Sequence, residues 1–381
     1  MKKIIICPDS FKGSLSSMEI ADAIEKGIKK VFPNCETIKI PIADGGEGTT
    51  DTLVHALNGE VVNVKVNDPL MRPIEVEYGL VNKGNTAIIE MAAASGLTLL
   101  SKQDQNPSIT TTYGTGELIK NALERGCRSF LIGIGGSATN DAGTGMLRAL
   151  GYRFLDKGGK ETNGTGKSLE KIFSIDRTGV VAELKDAHFT VACDVNNPFF
   201  GLNGAAHVYA PQKGANSQMV KELDEGLECF SNLIKKELKL DLNSIAGAGA
   251  AGGLGGGFIA FLNAELKPGI QMVLEAVAFE KRLQNAELVI TGEGKLDEQT
   301  GMGKAASGIL DIATKSNVPV IAIGGSVEDI GNLNKRGFVS VFSIQPCPIS
   351  LEEAMKKDIT RRNTTQVTEQ FMRLIKQFKY K

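Results

Sequence analysis

The sequence predicts an α/β protein in which a doubly wound parallel sheet is built from both ends of the chain and interrupted by a second, inserted α/β domain. Three observations carry this. Strand and helix patterns alternate through the first eighty residues and resume after residue 286. The apolar strands at both ends run into glycine-rich, charged loops rather than hairpin turns. The residues between them are denser in glycine and hold strands of their own. The expected domains are therefore 1–80 and 286–381, forming one sheet, with 81–285 inserted.

The first strand, Ile4-Ile5-Ile6, ends in Pro8-Asp9-Ser10-Phe11-Lys12-Gly13-Ser14. Ser16-Ser17-Met18-Glu19 has the form of a capping box, and Ile20, Ala23, Ile24, Gly27, Ile28 and Val31 follow at helical spacing. A second strand, Thr37 to Pro41, leads into Ala43-Asp44-Gly45-Gly46-Glu47-Gly48-Thr49 and a helix to Leu57. Within the insertion, strands are expected at Thr86–Met91, Ser129–Ile134 and Phe189–Cys193, and Tyr152–Leu155 before Asp156-Lys157-Gly158-Gly159 has the pattern of a hairpin. The third terminal strand, Leu288-Val289-Ile290, enters Thr291-Gly292-Glu293-Gly294-Lys295-Leu296-Asp297. A helix at Ala305–Thr314, strands at Val318–Ile323 and Val339–Ser343, and a final amphipathic helix complete the pattern. Val367, Phe371, Leu374 and Phe378 are the expected buried stripe of that last helix.

Composition bounds the function. With 381 residues and 42% hydrophobic content the chain has ample core for two domains. Its 43 basic and 44 acidic residues leave a net charge of −1, which offers no footprint for nucleic acid and no polybasic membrane patch. The six cysteines show no Cys-x-x-Cys spacing, so neither a zinc site nor a disulfide framework is indicated. No apolar run approaches the roughly eighteen residues of a membrane span, and the start of the chain is too short in apolar residues for a signal peptide. A cytoplasmic protein is expected, with a homo-oligomer left open.

In open α/β sheets, ligands lie beyond the carboxyl ends of the strands, at the topological switch point. In a flavodoxin-like strand order the first and third terminal loops flank that point. Asp9, Lys12 and Lys295 are the candidate catalytic groups there, with Ser10, Glu293 and Asp297 as substrate contacts and Asp44 and Glu47 added by the middle loop. Carboxylates in such loops can take a proton from a hydroxyl or hold Mg²⁺, and ammonium groups can neutralise a carboxylate or a transferring phosphoryl group. Asp194, at the end of the Phe189–Cys193 strand and followed by Val195-Asn196-Asn197-Pro198, is a further catalytic and metal candidate, because Mg²⁺ needs only one or two protein oxygens; an Asx-turn before proline is the plain alternative.

Two glycine segments are candidate phosphate sites. Gly135, Gly136, Ser137, Ala138, Thr139 and Asn140, within Gly133–Asp141, follow an apolar strand and are expected to precede a helix, where bare amides and hydroxyls attract anions. The same stretch fits Gly-x-Gly-x-x-Ala, with Asp156 as the ribose partner of a dinucleotide, although Asp141 would then oppose a pyrophosphate. The Gly247–Gly257 segment can cradle phosphate through Gly249, Gly252 and Gly253, or simply let a helix pack closely. No P-loop pattern occurs, and the three histidines fall in no catalytic spacing.

Taken in order, Pro8–Lys12, Ala43–Thr49, Gly114-Thr115-Gly116-Glu117-Leu118, Gly133–Asp141, Ala210-Pro211-Gln212-Lys213-Gly214-Ala215, Gly247–Gly253 and Thr291–Gly294 resemble the bacterial glycerate kinase family, from the first strand to the last. The resemblance implies ATP-dependent phosphorylation of D-glycerate with Mg²⁺, and a flavodoxin-like domain interrupted by a second α/β domain. It leans towards 2-phosphoglycerate as product, with 3-phosphoglycerate as the alternative. The sequence departs from the family pattern at Lys295, where arginine is common, which keeps the charge but loses the bidentate fork. The rival readings are an NAD-dependent hydroxy-acid dehydrogenase and a non-catalytic binder of organic acids.

Overall fold

The structure is a computed structural model that describes residues 1–42, 48–297 and 305–379. It divides into two compact units, residues 1–44 with 273–381 and residues 45–272.

The first unit is organised by runs of β-branched residues that bury both faces of a strand, the signature of a parallel sheet covered on both sides. Ile4, Ile5, Ile6, Val289 and Ile290 are all fully buried. From edge to edge the strands run Ser340–Ser343, Val320–Val327, Leu288–Leu296, Lys3–Pro8, Glu36–Lys39. Every pairing is parallel, with Ile4 opposite Leu288 and Pro8 opposite Gly292. This is the flavodoxin-like order, closed by strands from both ends of the chain.

The helix Ser17–Val31 starts with the expected capping box at Ser16 and Glu19. It lies against the long helix Lys357–Lys379, and Gly27 permits the approach: a Cβ there would sit 2.7 Å from Thr365 O and Thr368 Cβ. That closeness corrects the expected stripe of the last helix. Phe371 is buried as expected, but Leu374 is 57% and Phe378 75% exposed. The buried face is Thr360, Thr364, Thr365 and Thr368 with Met372, because only short side chains fit between backbones so near each other.

The second unit holds a six-stranded sheet in the order Glu265–Lys267, His188–Ala192, Ser129–Gly133, Thr86–Glu90, Pro73–Val81, Glu60–Asn67. The first four strands are parallel and the last two join antiparallel. The units therefore divide at 44/45 and 272/273 rather than at 80 and 285. The chain from 60 to 81 makes a hairpin whose alternating Val and polar residues solvate one face, as antiparallel edges do, and it extends the second sheet.

One further expectation changes here. Arg153–Leu155 pairs with Ser174–Asp176 rather than with the residues just after the turn, which contribute a single bridge from Leu155 to Glu161. The segment Gly133–Asp141 precedes a helix as expected, Thr144–Ala149.

Candidate functional site

The parallel register of Lys3–Pro8 and Leu288–Leu296 sets their terminal loops side by side, and Asp9 N–H donates to the Gly292 carbonyl at 2.8 Å. Together they open onto a cavity of about 680 Å³ in the first unit, lined among others by Asp9, Ser10, Lys12, Glu293, Lys295 and Asp297. Six residues named from sequence, from segments almost three hundred positions apart, thus share one space. The Asp9 carboxylate accepts from the Ser10 amide at 2.5 Å, which fixes its orientation at the strand end. Lys295 lies 3.1 Å from Glu328 and 3.6 Å from Asp297. The hydrogen bond to Glu328, followed by the attraction of both carboxylates, raises its pKa, so Lys295 is a fixed cation at neutral pH. Lys12 is exposed at the rim. Asp44 and Glu47 lie outside the described residues.

The second unit uses its glycine segments differently. Gly135 and Gly136 are exposed, but Ala138 N–H donates to Ser95 O at 2.9 Å and Gly136 O accepts from Leu97. The residues after them turn inwards. Lys213, only 2% exposed, donates to Ser137 Oγ at 2.6 Å and to Thr139 O at 2.7 Å. Burial pushes its pKa down to about 7, against the pull of the Asp141 carboxylate. Asp141 is fully buried and accepts from the amides of Thr112, Gly143 and Gly145 and the hydroxyls of Thr111 and Thr112. Burial raises its pKa, and those donors work against the rise. Beside it, Thr139 Oγ1 and both amide atoms of Asn140 are buried without a hydrogen-bond partner. Only Gly135 and Gly136 of this segment are therefore open to a ligand from solvent; Ser137, Ala138, Thr139 and Asn140 belong to a buried polar knot that fixes the loop's base.

Gly249, Gly252 and Gly253 are packing positions. A Cβ at Gly249 would meet Pro198 O at 2.0 Å and one at Gly252 would meet Thr139 O at 2.1 Å, while Gly253 backs onto Phe199. Gly249 and Gly253 also spend their amides on the carbonyls of Asn197 and Gly249. Of the two readings of this segment, close packing is the one the coordinates support. Asp156 accepts from the amides of Gly158 and Lys160, so it closes a turn and is no ribose partner. Asp194 is exposed and accepts from Gly269 N–H at 3.0 Å, at the start of the helix Gly269–Ala276.

Sequence reasoning passed over two acidic or basic groups that organise these loops. Glu90 accepts from the amides of Gly48 and Thr50 and so caps the helix Thr49–Ala56. Lys213 ties down the base of the 135–140 loop, and the only signal for it was its place in the Pro-Gln-Lys-Gly segment. Among the described residues no group of three or more His, Cys, Asp or Glu side chains is placed to hold a metal ion, and no helix is long and apolar enough to cross a membrane.

The comparisons with known proteins agree with this architecture. The Glycerate kinase family matches residues 4–376. The chain is 47% identical to a glycerate kinase of Bacillus cereus over 93% of both chains. It is 46% identical to the glycerate 2-kinase of Escherichia coli, again over 93% of both. A crystal structure from Salmonella typhimurium LT2, provisionally named glycerate kinase 2, superposes with a TM-score of 0.91 at 42% identity, covering 99% of each chain. The chain belongs to the glycerate kinase family, and its class is that of a phosphotransferase with an alcohol group as acceptor.

Proposed function

We propose that this protein phosphorylates D-glycerate at O2, using ATP as donor, in the cavity formed by the loops after Lys3–Pro8 and Leu288–Leu296. The observation that carries the reading is the convergence of two carboxylate-bearing and lysine-bearing loops on one cavity. Phosphoryl transfer asks little covalent chemistry of a protein; positioning and charge stabilisation do most of the work. In this reading Asp9, oriented by the Ser10 amide, accepts the proton of the attacking glycerate hydroxyl. The new O–P bond forms at the γ-phosphorus as the bond to the β-phosphate oxygen breaks and ADP leaves. Lys12 and Lys295 offset the charge of the glycerate carboxylate and of the phosphoryl oxygens. Lys295 is held in place by Glu328 and Asp297, so its charge needs little reorganisation in the transition state.

Mg²⁺ requires one or two protein oxygens and keeps several waters. The carboxylates of Asp9, Glu293 and Asp297 on the cavity wall suit that donor set, as does the solvent-facing Asp194. Bound there, the ion would supply neutralisation of the β- and γ-phosphates. Preference for O2 rests on the likeness to the glycerate 2-kinase of Escherichia coli.

The test is release of ADP from ATP and D-glycerate by the purified protein, with the phosphorylated carbon assigned by ³¹P–¹H coupling. Asp9→Asn and Lys12→Ala are each expected to lower kcat by about a hundred- to ten-thousand-fold. Near-normal turnover in both variants would remove these residues from the chemistry.

A further inference from the structure

Lys12 stands at the tip of a closed turn. Phe11 N–H donates to Leu15 O at 2.9 Å, and the amides of Ser14 and Leu15 return to Phe11 O at 2.8 and 3.1 Å. Phe11 and Leu15 are buried at its base, and Lys12 and Gly13 are left exposed between them. Gly13 is in the left-handed region, at φ +77°, as the reversal requires. These bonds fix the shape of the turn and not its tilt towards the cavity.

The tilt is set from the far end of the chain. Ser14 Oγ lies 2.7 Å from Thr360 Oγ1, across 346 positions. Thr360 is in the first turn of the helix Lys357–Lys379, is buried, and lines the same cavity as Lys12 and Ser14. Its one hydroxyl hydrogen is directed at the carbonyls of Ala354 and Lys356, at 2.9 and 3.2 Å, so its oxygen accepts and Ser14 donates. Beside this bond the methyl end of Met355 rests on Gly13, where an added Cβ would collide with it. Threonines often turn their hydroxyls back to the main chain, which accounts for the hydrogen that Thr360 gives. It does not account for the hydrogen that Thr360 receives from the Lys12 turn.

We infer that Thr360 is a positioning residue for Lys12. Through Ser14, and with Met355 lying on Gly13, it holds the turn Phe11–Leu15 at the orientation in which Lys12 lines the cavity. The inference rests on the kinase reading above, in which Lys12 offsets charge on the reactants, and it adds the C-terminal helix to the parts that reaction needs. Thr360 acts by geometry alone. A charged group displaced by about 1 Å can lose on the order of a hundredfold in rate, and this bond is what holds the backbone beneath that charge.

The test measures kcat of the full chain with saturating ATP and D-glycerate. Ser14→Ala and Thr360→Val remove the same hydrogen bond from its two ends, and each is expected to lower kcat about tenfold. Combined, they should lower it no further than either alone, because residues that share one bond do not add. Thr360→Ser keeps the hydroxyl and should stay within about twofold of wild type. In a Lys12→Ala background, either substitution should change kcat by less than about twofold, since the group being positioned is gone. Undiminished kcat in both single variants, additive losses in the double variant, or a Thr360→Ser loss equal to that of Thr360→Val overturns the inference. So does a full tenfold loss in the Lys12→Ala background. If Thr360→Val fails to fold, Ser14→Ala, at a half-buried loop position, decides the matter alone and with Lys12→Ala. ADP release by wild type without these couplings sinks this inference only, whereas no ADP release sinks the kinase reading and the inference with it.

Discussion

The loops of the first unit and the Gly247–Gly257 segment of the second have the same glycine-rich texture and opposite uses. In Pro8–Ser14 and Thr291–Asp297 the glycines alternate with Asp, Glu and Lys, and the charged side chains line a cavity. In Gly247–Gly257 they alternate only with Ala and Leu, and the segment is packed against Thr139–Ala142 and Asn197–Phe199. Glycine lets a backbone come close to whatever is there. What lies between the glycines decides whether that is a ligand or another strand of the same protein.

The largest test of this contrast is Gly252→Ala beside Gly294→Ala. Gly252 has φ +71°, and an added Cβ would stand 2.1 Å from Thr139 O. The left-handed conformation costs about 1–2 kcal/mol for a residue with a side chain, and forced overpacking about 1–3 kcal/mol more. A loss of several kcal/mol is expected in the denaturant midpoint. At Gly294 the nearest atom to a Cβ is Lys12 N at 3.6 Å, an ordinary contact, so stability should stay within about 1 kcal/mol of wild type. Equal stability losses in the two variants would dissolve the distinction.

A second test concerns the buried charge that supports the 135–140 loop. In the folded protein the pKa of Lys213 lies near 7, below its ordinary 10.5. The folded state therefore binds this proton less readily than the unfolded chain does. The contribution to stability is fully present above pH 10.5, is lost as the pH falls towards 7, and is constant below that. Lys213→Met removes this dependence. Wild-type stability relative to the variant should rise by an amount on the order of a few kcal/mol between pH 7 and 10.5, read from paired unfolding curves. A flat difference across that window would show that the ammonium is not desolvated as described. Burial raises the pKa of the Asp141 carboxylate, whose charge acts on Lys213 in the opposite sense to burial.

How much of this was legible in the chain depends on the kind of signal. Ile4–Ile6 and Leu288–Ile290 announce strands buried on both faces, and the charged glycine loops that follow them announce a ligand site; both are local patterns. The hairpin from 60 to 81 is less legible, because its alternating strands carry a weaker signal than the strand–helix rhythm before them, and that rhythm places the expected boundary at residue 80. Lys213 and Asp141 were illegible as a pair, since burial of a charge is a property of distant segments meeting. The knot at Ser137–Asn140 likewise depends on Lys213 and on Thr110, whose hydroxyl donates to Ala138 O, and no spacing rule connects these residues.

The last helix carries the smallest expected effect, and it separates pattern from packing most directly. Val367, Phe371, Leu374 and Phe378 recur at helical spacing, yet Phe378 is 75% exposed while Thr368 is fully buried opposite Gly27. If contact with Ser17–Val31 governs this face, Phe378→Ser should change stability by no more than about 0.5 kcal/mol, the usual range for surface positions. Thr368→Leu should cost about 1–3 kcal/mol, because Gly27 and Thr368 already touch and added carbons have nowhere to go. If the apolar periodicity governed instead, the order would reverse, with the serine variant the more damaged of the two. Thermal unfolding of the pair decides between them: a hydrophobic residue at helical spacing marks a core only when the neighbouring helix leaves room for it.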